Sequence, residues 1–185
     1  MKALTLTQPW ASLVAIGAKR IETRSWATNY RGPLAIHAAK GLPNEAKVLF
    51  LCTPFHEVLT KAGFQISHML MAPPKGIQPH NLPLAAVVAT CKLSDCLPTE
   101  EVFRQYGATR YEREFGDYTP GRWAWVLSNI VALPAPIPAR GALGLWELTL
   151  PILEALAAFA SLELTAEDRA LAMRGDPDEG DDDGE

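Results

Sequence analysis

The chain predicts an α+β protein built on a mixed, closed or nearly closed β-barrel of about five to six strands with short flanking helices. Two observations predict it. Segments of strand character stand before, between and after the helical ones instead of alternating strictly with them, which suits a barrel better than a doubly wound sheet. With 48% hydrophobic and 21% charged residues, there is enough apolar material for a packed core and little room for global disorder. No internal repeat is present.

The elements follow in order. Ala3 to Thr7 alternates, with Leu4 and Leu6 on one face, and reads as a first strand. Thr7 is placed to cap the next helix, with Pro9 in its first turn where a missing N–H does no harm. Trp10, Leu13, Val14 and Gly17 then fall at i, i+3, i+4 and i+7, one apolar helical face. Gly17 suits the left-handed residue that ends a helix. A strand runs from Ile21 to Trp26, a loop from Ala27 to Pro33, and a buried strand from Leu34 to Ala39. Asn44 to about Lys61 is helical, with Asn44 as cap and Pro54 breaking or kinking it. Gly63 to Leu82 carries Pro73, Pro74 and Pro79 and reads as a long loop or lid.

Leu84 to Leu93 is an apolar, β-branched strand. Pro98 to Tyr106 reads as a helix capped by Thr99. Thr119-Pro120-Gly121-Arg122 suits a type II turn. Trp123 to Leu133 is the clearest strand. Pro134, Pro136 and Pro138 then place the chain at a sheet edge or outside it. Leu145 to Leu150 is the last strand.

Charge divides the chain. Residues 1–150 hold 15 Lys and Arg against 10 Asp and Glu, while residues 151–185 hold 2 against 11. A body of net charge +5 thus carries an extension of −9, so a whole-chain value of −4 hides a mildly basic domain. Residues 1–150 are expected to form that domain. Residues 151–185 are expected to form a helical extension and a disordered acidic tail. Three cysteines, an odd number, argue against a disulfide framework and for a reducing, cytoplasmic compartment. No apolar run reaches the roughly 18 residues of a membrane span, so no membrane partner is expected.

The richest stretch is Gly17 to Arg24. Lys19 stands at the corner between helix and strand. Strand alternation puts Glu22 and Arg24 on one face and Ile21 and Thr23 on the other. As an isolated surface pair, Glu22 and Arg24 would contribute under about 1 kcal/mol. With Lys19, Arg20 and Arg31 close by, they form an anion-binding corner instead. Among five tryptophans, Trp26 stands beside a loop and is the candidate for stacking on a base; Tyr30 is a weaker one. His37, His56, His68 and His80 have no zinc-ligand spacing to Cys52, Cys91 or Cys96, and His37 reads as a satisfied core histidine. No metal or other cofactor is expected.

Gly17, Lys19, Glu22 and Arg24 match the G-x-K-x-x-E-x-R signature of the ASCH domain family, whose fold resembles the PUA RNA-binding barrel. Leu6-Thr7-Gln8-Pro9-Trp10-Ala11, Gly121-Arg122-Trp123-Ala124-Trp125 and Gly144-Leu145-Trp146 agree with it in order, so the resemblance spans about residues 2 to 150. It implies a PUA-like pseudobarrel with this motif at the mouth of a cleft. Two functions follow as expectations. The first is binding of RNA, single-stranded nucleic acid or a modified nucleoside. Lys19 and Arg24 would neutralise phosphate, Trp26 or Tyr30 would stack, and Glu22 would accept from a base edge, beside Arg31. The second is hydrolysis. Some small ASCH proteins resemble amidohydrolases of N4-acetylcytidine, in which a lysine matching Lys19 assists a threonine nucleophile. Here Glu22 stands at that threonine's place, so Lys19 and Glu22 would serve as polarising cation and general base. RNA cleavage is also proposed for ASCH members.

Overall fold

A computed structural model describes residues 1–67, 80–107 and 111–172, with side chains described outside 162–172. The chain divides into two compact units, Met1–Leu148 and Thr149–Glu185. The first contains six strands: β1 (Lys2–Leu6), β2 (Ile21–Arg24), β3 (Gly32–Ala38), β4 (Ala86–Pro98), β5 (Trp123–Pro138) and β6 (Leu145–Glu147). They form one sheet in the order β2-β5-β4-β3-β1-β6. Only β1 and β3 pair in parallel; the other ladders are antiparallel. β2 and β6 remain edges, so the sheet is a curled half-barrel that stays open. Its helices are α1 (Trp10–Ala15), α2 (Asn44–Leu49), α3 (Phe55–Lys61) and α4 (Thr99–Tyr106). The second unit holds α5 (Leu150–Ala172). No helix among the described residues is long and apolar enough to cross a membrane.

The main core lies on one face of the sheet, where Leu4, Leu34, Ile36, Leu93 and Trp125 surround Val14. A second cluster gathers Leu13, Phe50, Phe55, Leu59 and Phe115. α1 is the wedge between them, because adjacent Leu13 and Val14 project into different clusters. Each fully buried side chain of this size contributes roughly 1.5–3 kcal/mol. A third cluster, with Ile21, Leu97, Val102, Ala124 and Val126, lies on the opposite sheet face beside α4.

Several local expectations are corrected. Thr7 does not cap α1; the Gln8 side chain accepts from the Ser12 N–H at 3.1 Å, and Pro9 is the N-cap residue. Asn44 and Thr99 do not cap their helices either, since Pro43 and Pro98 occupy those positions. Pro54 does break the Asn44–Lys61 stretch, as expected, into α2 and α3. The prolines of β5 lie at an edge, as expected: Pro138 pairs with Ala86, while Pro134 and Pro136 fall where the ladder to β4 is irregular. They are tolerated because β2 pairs only with Trp123–Val126, which leaves that half of β5 with a strand on one side. β6 ends at Glu147 because α5 starts at Leu150. Most of the expected Gly63–Leu82 loop, with His68, and the acidic tail fall outside the described residues.

Candidate functional site

The site begins with the end of α1. Gly17 takes φ +72° and closes the helix, its N–H donating to the Val14 carbonyl at 2.8 Å. The Lys19 N–H then donates to the Leu13 carbonyl at 3.0 Å, which folds the chain back under the helix. Glu112, not singled out by the sequence, fixes the next bend. Its buried carboxylate accepts the Arg20 N–H at 2.9 Å and the Ile21 N–H at 3.1 Å. Its neighbour Tyr118 has its pKa pushed up, first by burial and then by Glu112.

β2 leaves this bend in a register that sets Glu22 opposite Trp125 and Arg24 opposite Trp123. Both charged residues therefore point to the face of the main core, and Ile21 to the other. At that end of the sheet Glu22 and Arg24 line a cavity of about 440 Å³. Thr5 to Thr7 form one wall, Trp10, Leu49 and Phe55 another, and residues 114–117 with Arg122 a third.

Lys19 does not line this cavity. It is 0% exposed, its ammonium donating to the Ile21 carbonyl at 2.5 Å and standing 3.6 Å from Glu22 Oε2. Burial lowers its pKa below the ordinary lysine value, opposed mainly by the Glu22 carboxylate. The expectation that three head-groups share one solvent-reachable hollow is thereby corrected. Glu22 screens Lys19 from the cavity and turns its other oxygen to Arg24, 3.2 Å from Nε. Arg24 Nη2 donates to the Thr5 carbonyl at 3.1 Å, while buried Nε has that ion contact but no aligned hydrogen bond.

The opposite wall is pinned by its own contacts. Trp10 Nε1 donates to the Phe115 carbonyl at 2.9 Å. Phe55 meets the Trp10 and Phe115 rings edge-on, at 6.3 and 5.0 Å between centroids. The Asp117 N–H donates to Thr23 Oγ1 at 3.1 Å. A Cβ on Gly116 would stand 2.7 Å from the Tyr118 ring and 3.2 Å from Thr23, so a bulkier residue would push the wall off β2. Arg122 pairs with Asp117 at 3.3 Å. Thr119, through its hydroxyl and N–H, holds the Asp117 carboxyl below the usual range.

The remaining expected residues lie elsewhere. Trp26 is 38% exposed, but β2 ends before it and its ring stands edge-on to Trp125 at 4.6 Å, outside the cavity. The Tyr30 hydroxyl donates to the Pro33 carbonyl. Arg31 pairs with Asp95 at 3.0 Å and donates to the Thr28 and Tyr30 carbonyls, so it ties a loop together. Trp10, Arg122 and Asp117 take their places at the cavity. Trp10 had read as helix core, and Arg122 as one residue of a turn; only the fold brings them to Glu22. Among the described residues, no group of three or more His, Cys, Asp or Glu is placed to hold a metal.

Chemically, three carboxylates (Glu22, Glu114 and Asp117) meet two guanidiniums (Arg24 and Arg122) around aromatic walls. Such a lining suits a planar, neutral ligand with N–H donors better than an unshielded phosphate.

Fold and motif together define an ASCH-type domain. The ASCH domain family matches residues 4–134, and the chain belongs to that family. It is similar to activating signal cointegrator 1 of Mus musculus and of Homo sapiens, each 26% identical over 145 residues, covering 78% of this chain and 22% of theirs. The chain therefore spans about a fifth of the length of these relatives. Among solved structures it is similar to the ASCH protein of Zymomonas mobilis, at 12% identity and TM-score 0.47 over 85% of this chain and 93% of that one. A point mutant of that protein gives 14% and 0.48, over 85% and 94%.

Proposed function

We propose that the cavity beside β2 binds one base of an RNA or other single strand, or a free modified nucleoside. The observation that carries this reading is the Glu22–Arg24 pair at the floor of an aromatic-walled cavity of about 440 Å³. That volume falls in the roughly 300–1,000 Å³ range of small-molecule sites and suits a single flipped-out base, not a duplex groove. Glu22 accepts N–H donors from the base edge, Arg24 and Arg122 donate to its carbonyls, and Trp10 supplies the apolar wall. Membership in a family associated with RNA supports the same reading. Phosphate neutralisation by Lys19 is no part of it, because the ammonium is shut behind Glu22. The same burial keeps Lys19 from polarising a substrate carbonyl, so no observation favours hydrolysis over binding.

Titration calorimetry with cytidine, N4-acetylcytidine, adenosine, guanosine and uridine tests the reading. At least one should bind, and Arg24→Ala should weaken it by roughly five- to tenfold, the loss of one charge-assisted hydrogen bond. If none of these nucleosides and no short single strand binds, the reading is wrong. Release of cytidine from N4-acetylcytidine by the pure protein would instead restore the hydrolytic alternative.

A further inference from the structure

A second cavity, of about 950 Å³, opens on the other side of Thr5. Thr5 is common to both: its carbonyl receives Arg24 in the first, and its hydroxyl accepts from Trp146 Nε1 at 3.1 Å beside the second. The linings differ in charge. The second cavity is bordered by Lys40 and Arg140 and, among the described residues, by no carboxylate. Inside it lies His37, 2% exposed. His37 Nε2 is 3.0 Å from the Ala139 carbonyl oxygen. A carbonyl only accepts, so Nε2 carries the proton and Nδ1 is left as an acceptor. That Nδ1 is buried and has no hydrogen-bond partner. A buried acceptor left unpaired is costly in a folded protein, and a ligand donor would relieve that cost. Gly141 backs directly onto the imidazole: a Cβ there would stand 2.6 Å from Nδ1 and 2.8 Å from Thr5 Oγ1, so a larger residue would displace the ring.

We propose that this second cavity holds the ribonucleotide next to the base bound in the first, with Lys40 and Arg140 on its phosphate and His37 Nδ1 accepting its 2′-hydroxyl. It rests on the reading of the first cavity as a base site. The two linings divide the work that a nucleotide strand demands. The first holds its charges in closed pairs and reads a neutral base. The second has unopposed cations for the backbone and an acceptor for the one group that separates RNA from DNA. Exposed Pro138 and Leu143 give the sugar an apolar flank at the rim.

Calorimetry on the full chain, with five-nucleotide homopolymers of RNA, their deoxy counterparts and the matching nucleosides, tests the inference. RNA should bind more tightly than the nucleoside, and more tightly than DNA by roughly two- to tenfold, the ratio expected of one net hydrogen bond. Lys40→Ala/Arg140→Ala, at two exposed positions, should leave nucleoside binding unchanged. The same change should reduce the gain of the strand over the nucleoside and lower the salt slope by about 0.7 for each phosphate that is no longer neutralised. Gly141→Ala should bring the RNA-to-DNA ratio close to one while retaining the salt slope. Equal binding of RNA and DNA by the wild type overturns the inference. So does an unchanged strand affinity in the double variant; in either case nucleoside binding would leave the first cavity's reading standing. If neither strand nor nucleoside binds, both fall.

Discussion

The two cavities that meet at Thr5 are built in opposite ways. The one beside β2 carries its charges as closed pairs: Lys19 on Glu22, Glu22 on Arg24, Asp117 on Arg122. The one beside His37 carries exposed cations and a buried, unpaired acceptor. In the first, the same residues support the fold and meet the ligand, so stability and binding are entangled. In the second, Lys40 and Arg140 are exposed and make no ion pair among the described residues, so they can be removed at little structural cost.

The largest effect should come where charge is most deeply buried. Glu22→Gln leaves the Lys19 ammonium without its counter-ion and should cost about 3–5 kcal/mol in urea unfolding. Lys19→Met leaves Glu22 its Arg24 partner but strips the buried Ile21 carbonyl of its donor, so it should cost less, about 1–3 kcal/mol. Equal stability of Glu22→Gln and the wild type would erase the contrast. Trp10→Ala, which deletes a cavity wall and the bond to Phe115, should cost about 3 kcal/mol and abolish nucleoside binding, read by the same two assays.

A pH series sharpens the comparison further. Burial lowers the Lys19 pKa from 10.5. Between the lowered value and 10.5 the unfolded chain therefore holds the extra proton, and stability rises with pH across that window. The difference in unfolding free energy between wild type and Lys19→Met should rise there and stay flat below it. His37 is likewise lowered from 6.5, mainly by burial, so its contribution is lost as pH falls below about 6.5 toward its folded value. Smallest of all, Arg31→Ala should cost under about 1 kcal/mol and leave nucleoside affinity unchanged, since its pair with Asp95 lies outside both cavities.

Strand alternation and the Gly17 turn made the placement of Glu22 and Arg24 legible in the sequence, because both are set by local geometry. The burial of Lys19 was not legible. It depends on Glu112, far along the chain, tying the Arg20 and Ile21 N–H groups into a bend that turns the ammonium inward. Trp26 had the composition of a stacking residue, but it follows the end of β2 and stands edge-on to Trp125, outside the cavity. Trp10 read as apolar helix and became cavity wall because the loop around Phe115 docks on it. His37 was placed correctly on a buried strand, yet only the arrangement of Ala139 and Gly141 leaves one of its nitrogens without a partner.

The most direct test of the base site is an NMR titration of the indole N–H signals with the nucleoside that binds most tightly. The predicted result is a shift of the Trp10 signal, with Trp26 unmoved. A shift of Trp26 with Trp10 unmoved would place the ligand outside the cavity beside β2 and contradict its assignment.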